Sequence, residues 1–149
     1  MDPNFVDILR SFVEGDVHFL VVGAYALAFH GHPRGTGDLD LWIDPSADNA
    51  QKAYAALARF GAPLHQVTVK DLSEPGVVFQ IGVAPVRIDI LTSLSGLTFE
   101  EAWQSRTDAL LEGLAFPVIG RHELLRNKRA TGRPKDLLDA EVLERDEER

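Results

Sequence analysis

Residues 34–43 read RGTGDLDLWI, a stretch suited to a β-strand except for two aspartates, Asp38 and Asp40. Side chains alternate along a strand, so Asp38 and Asp40 point to one face while Leu39, Leu41 and Ile43 point to the other. Two carboxylates held side by side repel unless a cation or a proton lies between them, so the pattern costs free energy unless something binds there. A third acid fits the same logic. In VRIDIL, residues 86–91, Asp89 is flanked by Ile88 and Ile90 and faces away from both on an alternating strand. Three acids on one sheet surface suit magnesium, which prefers hard oxygen ligands and takes one or two carboxylates plus substrate phosphates and water. Two ions about 4 Å apart, bridged by Asp38 and Asp40, would activate an attacking oxygen and neutralise a leaving phosphate.

Working outward, VHFLVVG (17–23) reads as a buried strand that passes at Gly23 into a short helix, AYALAFHG (24–31). Backbone N–H groups of Ala24 and its neighbours would then be free to hold phosphate oxygens. Without the downstream acids, a turn or packing glycine is the better reading of Gly23. Upstream, Asp2 and Pro3 start a helix over 3–14 with Phe5, Ile8, Leu9 and Phe12 on one face. Downstream, Ser46 caps a helix over 47–60 that places Ala50, Ala53, Tyr54, Leu57 and Phe60 together before Gly61. Strands then resume. VVFQIG (77–82) and VRIDIL (86–91) are close enough for an antiparallel hairpin, so the sheet is mixed. Residues 98–106 read as a helix, LAFPVIG (114–120) as a short or edge strand because of Pro117, and two helices close the chain around TGRP. The fold class expected is α/β (α+β), a mixed sheet flanked by helices, with residues 1–149 forming one domain.

The 149 residues carry a net charge of −8, unevenly spread. RHELLRNKRATGRPK, residues 121–135, holds six of the fifteen Lys and Arg against one acid. An acidic remainder argues against broad nucleic-acid binding, while a local basic cluster suits a compact anion such as a triphosphate or, more plainly, is a solvated helix end. With no cysteine the chain has neither disulfides nor thiolate metal sites, which fits the cytoplasm. The acidic, amphipathic opening MDPNFVDILR is unlike a signal peptide, and the apolar run from Phe19 to Phe29 is too short to span a bilayer, so no membrane association is expected.

The ordered set formed by VVGAYALAFHGHPRGTGDLDLWID (21–44), the lone Asp89 and ELLRNKRATGRPKDLLDAEVL (123–143) resembles the nucleotidyltransferase superfamily, whose catalytic fold is shared with the palm of DNA polymerase β. The closing segment resembles small bacterial members related to AbiEii-type toxins and antibiotic nucleotidyltransferases. Ala24 departs from the Gly or Ser that many members have there. The resemblance implies magnesium-dependent transfer of a nucleoside monophosphate from a nucleoside triphosphate to an acceptor hydroxyl, releasing pyrophosphate. It implies that Asp38, Asp40 and Asp89 bind two magnesium ions, with Asp89 nearest the attacking hydroxyl as general base. Gly23 and Ala24 would meet the terminal phosphates, Arg34 and Thr36 would contact phosphate, Lys128 would reach the triphosphate, and Asp136 would belong to the active site. The helices over 121–146 would close that site. The acceptor is open among small molecules, transfer RNA and protein hydroxyls, and a homodimer or partner protein would complete the cleft. A second reading is a noncatalytic or weakly catalytic nucleotide-binding or regulatory protein, part of a toxin–antitoxin pair.

Plainer roles stand beside these. Arg34 and Thr36 equally serve their own loop, Lys128 and Arg133 read as surface charges, Asp136 as a helix N-terminal acid and Asp139 as a surface helix residue. His30 and His32 lack the further ligands a zinc site needs. Trp42 and Trp103 read as packing aromatics, and Tyr25 either stacks on a base or packs in the core.

Overall fold

The computed structural model describes residues 1–33, 37–83 and 85–147. Seven α-helices and six strands are described: α1 Pro3–Glu14, β1 Phe19–Val22, α2 Gly23–Phe29, β2 Leu39–Ile43, α3 Ala47–Phe60, α4 Val69–Leu72, β3 Val78–Val83, β4 Val86–Leu91, α5 Phe99–Gln104, β5 Thr107–Leu111, β6 Leu114–Val118, α6 Arg121–Thr131 and α7 Pro134–Glu147. The strands form one mixed sheet in the order β3-β4-β2-β1-β6-β5. β2 runs parallel to β4 and antiparallel to β1, and β3 and β4 form the antiparallel pair expected from their short connection.

Local chemistry accounts for the elements. The Asp2 side chain accepts from the Asn4 N–H at 2.8 Å, and Phe5, Ile8, Leu9 and Phe12 of α1 are buried together. Ala50, Ala53 and Leu57 bury the facing stripe of α3, which Gly61 ends in the left-handed conformation. Ser46 stands at the N-cap of α3, but its hydroxyl makes no capping hydrogen bond. Leu39, Leu41 and Ile43 are buried on one face of β2, while Trp42 on the other packs edge-on against Phe99 of α5 at 5.2 Å between ring centres.

Three expectations change. β6 is an inner strand between β1 and β5, so Pro117 does not mark an edge. The proline is tolerated because the parallel contact with β1 begins just beyond it, with Val21 opposite Val118 and the Ile119 N–H donating to the Val21 carbonyl at 3.1 Å. The chain after α3 first forms a 3-10 turn, Leu64–Gln66, and then α4, whose start is held by reciprocal hydrogen bonds between Thr68 and Asp71, before any strand resumes. β5 follows α5 directly and turns back into β6 through Glu112 and Gly113, both at positive φ (50° and 79°), as a two-residue hairpin turn demands.

Candidate active site

The sheet brings the three acids together. Parallel pairing sets Asp40 of β2 opposite Asp89 of β4, and antiparallel pairing sets it opposite Val22, the last residue of β1. Asp38 lies immediately before β2 and lines the same cavity, of about 610 Å³, as Asp40 and Asp89. Burial first, then the charges of Asp89 and Asp38, pushes the Asp40 carboxyl up to about 7, against the opposing influence of Arg87 and Lys128.

Arg87 was not singled out by sequence reasoning. It stands two residues before Asp89, so both side chains share one face of β4. Its Nη2 lies 2.6 Å from an Asp38 carboxylate oxygen and 3.1 Å from one of Asp89. The signal that finds Asp89, a charged residue between apolar strand neighbours, also finds Arg87 between Val86 and Ile88.

Gly23 begins α2 at φ +67°, and a Cβ there would overlap Asp40 Oδ2. The positive φ strains any side chain there, and a Cβ would have to displace the Asp40 carboxylate. Gly23→Ala is expected to cost on the order of 1–3 kcal/mol of stability and to displace the Asp40 carboxylate. Urea unfolding and magnesium titration of the variant check this, and wild-type values in both would remove the constraint. Gly37, just before Asp38, is equally tight against α2, since a Cβ there would lie 2.9 Å from the methyl of Ala24.

The opposite wall comes from α6 and α7. Lys128 is 8% exposed, and its ammonium lies 3.2 Å from Asp136 and 3.1 Å from Asp139. Asp136 also accepts from the Thr131 hydroxyl at 2.6 Å and the Arg133 Nε at 2.7 Å. Burial pushes the Asp136 carboxyl up, but these hydrogen bonds and the Lys128 charge outweigh it and hold the group below the usual carboxylate range. Asp139 is 1% exposed, so its reading as a surface helix residue is corrected. The reason is the ion pair: α7 buries Asp136, Asp139, Ala140 and Leu143 and leaves Leu137 and Leu138 exposed. Arg133 and Lys135 are exposed at the rim of the same cavity.

Arg34 and Thr36 lie outside the described residues. His30 Nε2 is 2.8 Å from the Ile119 carbonyl, and His32 pairs with Asp146, which Arg121 also reaches at 2.5 Å. Tyr25 packs edge-on against Phe5 at 5.6 Å, in keeping with the packing role. Trp42 is buried, and Trp103 stacks on His18 beneath the Arg106 guanidinium.

Among the described residues no group of three or more His, Cys, Asp and Glu side chains is arranged to hold a metal ion, the Arg87 guanidinium standing between two of the acids instead. The chemistry of the donor atoms, as distinct from their arrangement, is that of a magnesium site. They are carboxylate oxygens, and Asp89 Oδ1 is buried with no hydrogen-bond partner among the described residues.

The mixed sheet and its flanking helices are the fold of two solved structures named as a nucleotidyltransferase and an adenylyltransferase. The chain is similar in structure to a candidate nucleotidyltransferase from Thermotoga maritima, at 13% identity with a TM-score of 0.58, over 97% of this chain and 93% of that one. It is also similar to the lincosamide antibiotic adenylyltransferase LnuA in its lincomycin-bound form, at 15% identity with a TM-score of 0.61, over 97% and 96% of the two chains. No family model and no curated protein sequence matches the chain. Among the described residues no helix is long and apolar enough to cross a membrane.

Proposed function

We infer that the chain transfers a nucleoside monophosphate from a nucleoside triphosphate to an acceptor hydroxyl and releases pyrophosphate. The observation that carries this reading is the in-register placement of Asp40 and Asp89 on parallel strands, with Asp38 beside them in one cavity. Asp38, Asp40 and Asp89 would hold two magnesium ions, which supply charge neutralisation at the phosphates and lower the pKa of the attacking hydroxyl.

The remaining steps belong to the chain's own groups. Asp89 Oδ1, facing no other protein donor among the described residues, would accept the acceptor's hydroxyl proton as its oxygen bonds to the α-phosphorus. The bond from that phosphorus to the bridging oxygen breaks, and pyrophosphate leaves with the electron pair. Gly23, beside Asp40, and Ala24 would meet the terminal phosphates with their backbone N–H groups, and Lys128, whose charge is shared by Asp136 and Asp139, would complete the electrostatic environment from α6. Arg133 and Lys135 at the rim add positive charge where the triphosphate would enter.

The likeness to LnuA supports a small-molecule acceptor over transfer RNA or a protein hydroxyl, and a homodimer or partner chain would supply the rest of its cleft. We place the reaction in the cytoplasm, where a cysteine-free chain meets nucleoside triphosphates. The second reading, a regulatory nucleotide-binding protein of a toxin–antitoxin pair, is favoured by one observation, the engagement of Asp38 and Asp89 by Arg87. Incubation with magnesium, each α-labelled nucleoside triphosphate and a cell extract decides between the two. Label on a new compound supports the enzyme, and nucleotide bound but unchanged supports the regulator.

A further inference from the structure

Three carboxylates gathered on one sheet face repel unless a cation or a proton offsets their charge, including before any ion or nucleotide arrives. The chain supplies a cation of its own. Arg87 reaches Asp38 and Asp89 through a single nitrogen, Nη2, at 2.6 and 3.1 Å. A well-matched guanidinium pairs with a carboxylate through two parallel N–H groups. Here the fit is incomplete, because Arg87 Nε and Asp89 Oδ1 are both buried with no hydrogen-bond partner among the described residues. The guanidinium is therefore held by the hydrogen bond that Nη2 donates to Asp89 Oδ2 and otherwise by charge. Its side chain remains about a third exposed and lines the cavity, so it has room to move.

We propose that Arg87 is an internal counter-ion that competes with the divalent cation for Asp38 and Asp89, yielding them when the ion binds and then offering its charge to the substrate phosphates. The inference rests on the metal-binding reading of these acids given above. It also reconciles that reading with the Arg87 bridge, because a resident cation keeps the acids together on the sheet without committing the chain to a noncatalytic role. Two couplings follow. Removing Arg87 relieves competition and tightens the binding of the bare metal ion. It also weakens the cooperation between metal and nucleotide, because the charge released by the metal is no longer there to meet phosphate.

Manganese, a spectroscopic stand-in for magnesium, provides the probe. Calorimetry and electron paramagnetic resonance would measure Mn²⁺ affinity and stoichiometry, without nucleotide, for the full chain and for Arg87→Met and Arg87→Lys. The expected result is a tenfold or greater gain in affinity for Arg87→Met and a smaller gain for Arg87→Lys, which keeps the charge on a shorter side chain with a more strongly hydrated head group. The melting temperature of Arg87→Met should be lower than wild type in metal-free buffer and rise by more on saturation with Mn²⁺. If Arg87→Met does not fold, the same ordering is read from Arg87→Lys against wild type. Wild-type binding with equal or weaker affinity in the folded variants overturns the counter-ion role and leaves the metal site standing. No manganese bound to any of the three chains overturns both. Binding that appears only when Arg87 is replaced supports the proposal in its strongest form.

Discussion

Replacing Asp40 with asparagine is expected to reduce nucleotide transfer by a factor of 10³ or more while leaving the fold intact, since it removes a central metal-facing charge but little volume. The same change should stabilise the metal-free chain at neutral pH. The Asp40 carboxyl is pushed up to about 7 from 3.8, chiefly by burial and then by Asp89 and Asp38. Between those values the folded chain holds a proton that the unfolded chain has lost. Stability from this group is therefore complete below about pH 4 and disappears as pH rises through about 7, a loss on the order of 4 kcal/mol. Asparagine does not titrate, so the difference in melting temperature between variant and wild type should widen from pH 4 to pH 7.5 in chelator-treated buffer and narrow when magnesium is added. A pH-independent difference would show that Asp40 is not held in a repulsive cluster.

Lys128→Ala carries the second large effect. Its ammonium is the shared partner of two carboxylates, Asp136 at 4% exposure and Asp139 at 1%. Removing it leaves both acids buried with less compensation, a loss on the order of 3–5 kcal/mol in stability at neutral pH. Asp139→Asn in the Lys128→Ala background should recover part of that loss, since it removes one of the two buried charges that Lys128 had balanced. In the folded fraction, magnesium–nucleotide affinity should fall by on the order of 1–3 kcal/mol, the scale of a charge-assisted hydrogen bond. Arg145→Ala, whose contact with Glu141 is a surface pair at 3.9 Å, should leave both quantities nearly unchanged. Denaturant melts and calorimetry at two salt concentrations distinguish these outcomes. Equal, small effects for Lys128 and Arg145 would reduce the α6–α7 wall to general surface charge.

The acids were legible because strand alternation is a strict rule: an acid between two isoleucines, or a pair two residues apart, must share a face, and pairing then sets Asp40 beside Asp89. The same rule applied to Arg87, but attention to acids alone passed over the cation two residues away. Helix α7 was harder for a different reason. Hydrophobicity would turn Leu137 and Leu138 inward, whereas the buried face carries Asp136 and Asp139, because Lys128 arrives from α6 and makes their burial favourable. A contact between two helices is not visible in either one alone. β5 escaped notice because its turn is Glu112–Gly113 rather than the Asn-Gly or Asp-Gly pair that usually marks such hairpins. Pro117 suggested an edge strand because the rule against proline inside sheets is local, while its tolerance here depends on where β1 begins to pair.

Nucleotidyl transfer and pyrophosphate release can be measured together. Wild type and Asp40→Asn would be incubated with magnesium, an α-labelled nucleoside triphosphate and the acceptor fraction that takes up label, and both products would be counted. The expected result is one pyrophosphate released for each labelled acceptor formed by wild type, with both products reduced by a factor of about 10³ or more for Asp40→Asn. Transfer by the variant at the wild-type rate, or wild-type nucleotide consumption that labels no acceptor, would contradict it.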